Sequence, residues 1–172
     1  YHTNGWPITN NMNDFRRDIS RAFVMTSPGR FEDQAAEIGL DDREEGRGVV
    51  CADFDGDGDV DILQLHRSAF LSATMWRNQT SGNNFLSVEL RGVAPNTQAI
   101  GSRITINYGG NTAMREVNLA SNYVSQNPTV QIFGLGGAAQ VDTVTVQWPD
   151  GLETVLNNVQ ADQFLTIDHP NL

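Results

Sequence analysis

Residues 48–66 read Gly48-Val49-Val50-Cys51-Ala52-Asp53-Phe54-Asp55-Gly56-Asp57-Gly58-Asp59-Val60-Asp61-Ile62-Leu63-Gln64-Leu65-His66. Five carboxylates fall within nine residues, from Asp53 to Asp61, with only Phe54, Gly56, Gly58 and Val60 between them. So dense a run of like charge repels itself unless a cation sits among its oxygens. The flanks are apolar and rich in β-branched residues, which predicts strands over 49–52 and 61–65. The acidic run is therefore a loop between two strands.

A hard cation such as Ca²⁺ takes about six to eight oxygen ligands at about 2.3–2.6 Å, and Asp at positions 1, 3, 5 and 9 of a loop can wrap its carboxylates around one point. Those positions are Asp53, Asp55, Asp57 and Asp61. Asp59 at position 7 offers its backbone carbonyl, and Gly58 at position 6 allows the sharp bend. An EF-hand would place Glu at position 12 between helices; here that residue is Gln64 and the flanks read as strands. Asp61 is expected to take the bidentate role instead. An all-oxygen set disfavours zinc and copper, and magnesium prefers a smaller cage that keeps more water, so calcium is the expected ion, with manganese a distant second. The bland alternative is an Asp- and Gly-rich turn, but turn chemistry needs only one or two such residues.

C-terminal to the loop, short β-like runs recur at 85–91, 103–108, 113–119, 130–133, 141–148 and 164–167, broken by Gly, Asn and Pro. Such spacing predicts a sandwich or barrel. Ile104, Ile106 and Tyr108 alternate with Arg103, Thr105 and Asn107, and Val144, Val146 and Trp148 with Thr143, Thr145 and Gln147. One face of each is buried and the other wet. Gly109-Gly110 and Pro149-Asp150-Gly151 supply the backbone angles that hairpin turns require.

N-terminal to the loop the chain is polar and irregular, with turn signals at Asn4-Gly5, Trp6-Pro7, Asn10-Asn11 and Pro28-Gly29. Phe15, Ile19 and Phe23 recur every four residues behind a capping Asn13, which predicts a helix over 14–23. A second short helical turn over 33–38 is expected to end at Gly39 in a left-handed cap.

The whole chain has 172 residues, 39% of them hydrophobic, enough for a real core in one large domain or two small ones. It carries 21 acids against 11 bases, a net charge of −10. That balance argues against nucleic acid and anionic membranes, which are bound through clustered positive charge. All the bases are arginine, with no functional consequence that can be drawn. The single Cys51 excludes an internal disulfide, and its apolar neighbours predict a buried, inert thiol. No apolar run reaches the roughly 20 residues of a membrane-spanning helix. Tyr1-His2-Thr3-Asn4 lacks the basic and apolar regions of a signal peptide. Fourteen of the acids precede the polar stretch 79–84. The expected domains are accordingly 1–82, with the loop 53–61, and 83–172.

The acidic loop resembles the calcium loop of FG-GAP/VCBS repeats, the blade units of integrin-like β-propellers. The resemblance extends over Gly29-Arg30-Phe31-Glu32-Asp33, Ala36-Glu37-Ile38-Gly39-Leu40 and Gly48-Val49-Val50. The second part resembles the ASPIC/UnbV domain. Ala99-Ile100-Gly101-Ser102-Arg103, Arg115-Glu116-Val117, Val124-Ser125-Gln126, Phe133-Gly134-Leu135-Gly136, Val146-Gln147-Trp148-Pro149-Asp150-Gly151 and Asn157-Asn158-Val159 carry that likeness. The resemblance implies an all-β chain, a partial propeller-like blade with a calcium loop followed by a β-sandwich-like domain. A propeller needs several blades and this chain shows one full loop, so neighbours must come from elsewhere, and self-association is one way to supply them.

The expected function is a calcium-binding, non-catalytic binding or adhesion module, extracellular or on the cell surface, with Ca²⁺ as a structural staple. Its expected partners are further copies of itself or surface glycans and proteins. A subunit of an extracellular filament is the second reading and a metal-dependent hydrolase the third. His2, His66 and His169 lie in no metal-ligand spacing, and His66 reads as a surface residue at a strand end. No nucleophile, phosphate-loop or dinucleotide motif is present. Asn78-Gln79-Thr80 fits the N-glycosylation sequon, a pattern that chance also produces in so Asn-rich a chain. Arg103 and Arg115 read as cross-strand or surface contacts. Trp148 reads as core, and Trp6 as the tryptophan most free to meet a sugar.

Overall fold

A computed structural model describes residues 19–44, 46–66 and 73–172. Among the described residues there are twelve strands and no α-helix. In chain order they are β1 (Phe23–Ser27), β2 (Arg30–Asp33), β3 (Gly46–Ala52), β4 (Asp61–His66), β5 (Ala73–Trp76), β6 (Asn84–Arg91), β7 (Arg103–Tyr108), β8 (Asn111–Glu116), β9 (Gln131–Gly136), β10 (Gln140–Gln147), β11 (Glu153–Gln160) and β12 (Gln163–Asp168). They form four open sheets, of order β1-β2, β3-β4-β5, β12-β6-β9 and β11-β10-β7-β8. The chain divides into two compact units. One runs to Val49 and resumes over Leu63–Trp76; the other comprises Val50–Ile62 and Arg77–Leu172.

The helix expected over 14–23 is not what its described part forms. Phe23 opens β1, residues 19–22 are irregular, and residues 14–18 lie outside the described residues. The Pro28-Gly29 turn explains the outcome: Gly29 takes φ +78°, reverses the chain, and lets Phe23–Met25 pair antiparallel with Phe31–Asp33. Asp33 pins the hairpin by accepting the N–H groups of Ala35 and Ala22. The short turn expected after Asp33 is present. Ile38 N–H bonds to the Gln34 carbonyl, Leu40 N–H to that of Ala35, and Gly39 has φ +75°. The last bond spans five residues across a left-handed glycine, the arrangement that closes a helical turn with its end carbonyls satisfied.

In the second unit, two sheets share one apolar core. Leu86, Val88 and Leu90 of β6, Phe133 and Leu135 of β9, and Ile167 of β12 come from the first sheet. Ile104 and Ile106 of β7 and Val141, Val144 and Val146 of β10 come from the second. Each fully buried side chain of this kind contributes about 1.5–3 kcal/mol. The period-two alternation read from the sequence is the cause: Ile104 and Ile106 of β7 and Val144 and Val146 of β10 are buried at every other position, and Val141 joins them out of phase. Gly109 and Gly110, both at positive φ, turn β7 into β8 with Tyr108 opposite Asn111, and 149–151 turn β10 into β11. Trp148 is core, 3% exposed, with its Nε1–H donated to Thr154 Oγ1 at 2.9 Å. β8 ends at Glu116, earlier than expected, because Val117 turns into the core and exchanges backbone bonds with Gly101 and Ser102.

Candidate metal centre

Asp53–Asp61 leaves β3 at Ala52 and re-enters β4 at Asp61. Its bends are made by Gly56 (φ +79°) and Gly58 (φ +92°). Gly58 has a second reason to lack a side chain: a Cβ there would overlap the Phe85 ring at the start of β6. The loop is thus seated against the face of the β12-β6-β9 sheet that points away from the core.

The carboxylates do unequal work. Asp53 is half-buried and accepts three backbone N–H groups, from Gly56 (2.7 Å) and Asp57 (3.2 Å) on Oδ1 and from Gly58 (2.9 Å) on Oδ2. Asp61 has no exposed surface and accepts from Phe54 on Oδ2 (3.1 Å) and from Asn78 on Oδ1 (2.7 Å). These bonds fix both carboxylates without using all their lone pairs. One carboxylate oxygen each from Asp53, Asp55 and Asp61 lies within 4.8 Å of the others. Oxygens sharing one Ca²⁺ stand no farther apart than twice the metal–oxygen distance, about 5 Å. The three therefore fit one coordination shell, and hard oxygen donors are what calcium takes. Asp57 and Asp59 are outside this grouping. Asp57 Oδ1 accepts the Asp59 N–H, while Arg77 stands against Asp55 and holds its Nη2 3.5 Å from Asp57. Arg77 was not among the residues singled out from sequence, since nothing in its spacing marks it; only the fold brings it to the loop.

Electrostatics follow from the crowding. Loss of solvent, and then the charges of Asp57, Asp53, Asp61 and Asp55, raise the Asp59 carboxyl above its ordinary range. Asn78, the sequon residue, lies beside the same loop, and its Oδ1 accepts both the N–H and the hydroxyl of Thr80. Cys51 is only half-buried, not enclosed as its neighbours suggested, and burial raises its thiol. Its N–H is held by Asn127 Oδ1 at 2.9 Å.

Elsewhere, His66 is a correction to the surface residue expected. It is 5% exposed, with Nε2 2.9 Å from Thr74 Oγ1 and 3.3 Å from Asp42 Oδ2. Burial works against the Asp42 charge, but the Glu44 N–H, the Thr74 hydroxyl and the neighbouring His66 outweigh it and lower its pKa. Arg103 faces Glu116 in register, 3.6 Å away, as a cross-strand pair. Arg115 lies over the Phe133 ring, 5.5 Å from its centroid. His169 bonds Asp150 at 3.1 Å through Nε2 and accepts the Asn171 N–H at Nδ1, so both ring nitrogens are engaged. His2 and Trp6 lie outside the described residues. No described helix is long and apolar enough to cross a membrane.

Comparison with known proteins adds to this geometry. Residues 92–172 match the family described as ASPIC and UnbV. The chain is similar to human cartilage acidic protein 1, 30% identical over 135 residues that cover 74% of the chain and 19% of the relative. It is 32% identical to mouse cartilage acidic protein 1 over the same length, covering 74% of the chain and 20% of the relative. The chain thus spans about a fifth of the length of these relatives.

Proposed function

We propose that this chain is a calcium-binding, non-catalytic module of an extracellular or cell-surface protein, whose ion staples the 53–61 loop and whose partners are proteins or glycans. The convergence of Asp53, Asp55 and Asp61 oxygens within 4.8 Å carries the reading. Bound there, Ca²⁺ would supply charge compensation to a loop that otherwise crowds five carboxylates. The likeness of 29–61 to FG-GAP/VCBS repeats supports placing the loop in a propeller-type blade. The similarity to proteins named cartilage acidic protein is in keeping with an extracellular setting.

An ion that binds only the folded loop stabilises it by RT ln(1 + [L]/Kd), about 0.4–1.4 kcal/mol when [L] is about 1–10 times Kd. With an affinity of about 10⁻⁴–10⁻³ M, as in extracellular modules, millimolar calcium is expected to raise the melting temperature and a chelator to reverse it. Calorimetric titration that shows no heat, together with identical melting curves in calcium and in chelator, would refute the assignment.

Self-association is a second reading. Phe23 (63% exposed), Met25 (60%) and Phe31 (60%) lie on one face of the β1-β2 hairpin, Met25 directly opposite Phe31. Sedimentation velocity giving a single monomeric species across the concentration range would count against it, and so against a filament subunit.

A further inference from the structure

The outward face of the β12-β6-β9 sheet carries a cleft of about 680 Å³, all of whose lining residues belong to the second compact unit. Strand register lines up Phe164, Ser87 and Ile132 across the three strands. Their sequence neighbours Leu86, Val88, Phe133 and Leu165 pack in or against the core, so these three point the other way. Ser87 is 2% exposed and lies deep in the cleft, while Phe164 is 60% exposed and braced edge-on by Phe85, with ring centroids 5.5 Å apart. The acidic loop forms one wall through Asp53 and Val60, and the end of β8 forms another through Arg115 and Glu116.

The third wall is the 117–130 connection, which presents Asn118, Ser121 and Asn127 to the cleft. Asn127 anchors its base by accepting from Cys51 N–H and from Asn122 Nδ2. At its outer turn Val124 holds φ +49°, a conformation that a β-branched residue adopts only at a cost of about 1–3 kcal/mol. Tyr123 and Val124 there are 65% and 70% exposed. Strain of this kind concentrates at functional sites.

The lining selects a class of ligand. An exposed aromatic ring, with Ile132 two strands away and Val60 on the loop wall, favours C–H surface. Amides and hydroxyls at the lip offer donors and acceptors together. Charge is mixed, with Arg115 set against Asp53 and Glu116, so neither a phosphate or sulfate ester nor a cationic ligand is favoured. A purely apolar ligand would cover the amides at the lip without pairing them, which is costly. What fits is a molecule with apolar ring faces and a rim of hydroxyls, of a size within the range of ligand pockets, about 300–1,000 Å³.

We propose that this cleft binds a short neutral oligosaccharide, one ring stacked on Phe164 and its hydroxyls bonded by Asn118 and the Arg115–Glu116 edge. The inference names a ligand class for the binding module proposed above, and rests on that reading only for its biological setting. Calorimetric titration of the whole chain with maltotriose, cellotriose and N-acetylated chitotriose, in calcium and again in chelator, tests it. At least one sugar is expected to bind with millimolar or better affinity. Phe164→Ala should weaken it about tenfold or more, with only a small drop in melting temperature from the lost Phe85 contact, and Ser121→Trp should block it by filling the mouth with the melting temperature unchanged. Absence of binding by all three sugars, or equal binding by Phe164→Ala, overturns the proposal. Calcium heats in the same protein report on the metal assignment separately.

Discussion

Asp61 shows how one side chain can hold a loop before any ion arrives. With no exposed surface, it ties the loop's start at Phe54 and the following segment at Asn78 through two backbone N–H groups. Asp61→Ala leaves both donors without their acceptor and is expected to lower unfolding free energy by about 1–3 kcal/mol in chelator. The same variant should lose the calcium-induced rise in melting temperature; denaturation curves that match the parent in both conditions would contradict the role. Asp59 carries the opposite sign. Its folded-state pKa is raised, so the stability linked to it is present below the unfolded value, 3.8, and lost as pH rises through the folded value. Metal-free protein should therefore lose stability on this account as pH rises above 3.8 through that folded value. Asp59→Asn should remove that loss, by no more than a few tenths of a kcal/mol after solvent screening. Melting curves in chelator on both sides of the transition, with and without the substitution, measure it. The run of aspartates was legible in sequence, as was the need for glycine at position 6. That Arg77 would stand against Asp55, and Phe85 against Gly58, was not, because each partner is remote in sequence and only folding brings it there.

At the scale of elements, the β1-β2 hairpin is the weak one. Every residue of both strands is exposed, and a lone pair of strands is marginal in water. Asp33 is its main tie: the Ala35 N–H, then the Ala22 N–H and Arg21, lower its pKa against the desolvation that opposes them. A lowered carboxyl contributes stability above its unfolded pKa and loses it as pH falls through the folded one, so the hairpin should loosen first in acid. Native-state hydrogen exchange is expected to show β1 and β2 amides exchanging orders of magnitude faster than those of β6, β7 and β10. Uniform protection across all five strands would show that the hairpin is held by more than its own pairing. β7 and β10 were readable from strict alternation, whereas β11 was not. Asn158 takes φ +55° and interrupts the ladder, yet Asn157, Val159 and Gln160 pair with Thr143, Val141 and Gln140 in one register. An edge strand takes its conformation from the neighbour's hydrogen bonds more than from its own composition.

At the largest scale, the stability of the second unit rests on the core shared by the β12-β6-β9 and β11-β10-β7-β8 sheets. Phe133 is its largest fully buried side chain, at 1% exposure, and Phe133→Ala should cost about 3–5 kcal/mol, read from chemical denaturation. That loss should be the same in calcium and in chelator, because Phe133 faces away from the acidic loop. A cost confined to one condition would mean that the core and the loop are coupled. The cleft on the opposite face of the same sheet is a separate consequence of the alternation that built this core. Where Leu86, Val88 and Phe133 point inward, Ser87, Ile132 and Phe164 must point outward, into whatever the acidic loop and the 117–130 connection enclose.

The sequence by itself determined the all-β character, most strands after residue 48, their hairpin turns and the acidic loop between two strands. These depend on period-two side-chain alternation, on glycine's access to positive φ and on local charge density, all of which are properties of neighbours in the chain. Tertiary structure alone decided that Phe23 begins a strand, that His66 is buried, that Asp53, Asp55 and Asp61 converge while Asp57 turns toward Arg77, and that a cleft opens beside Phe164. Each of these depends on groups brought together from distant parts of the chain, and no local pattern encodes a partner that folding has yet to deliver.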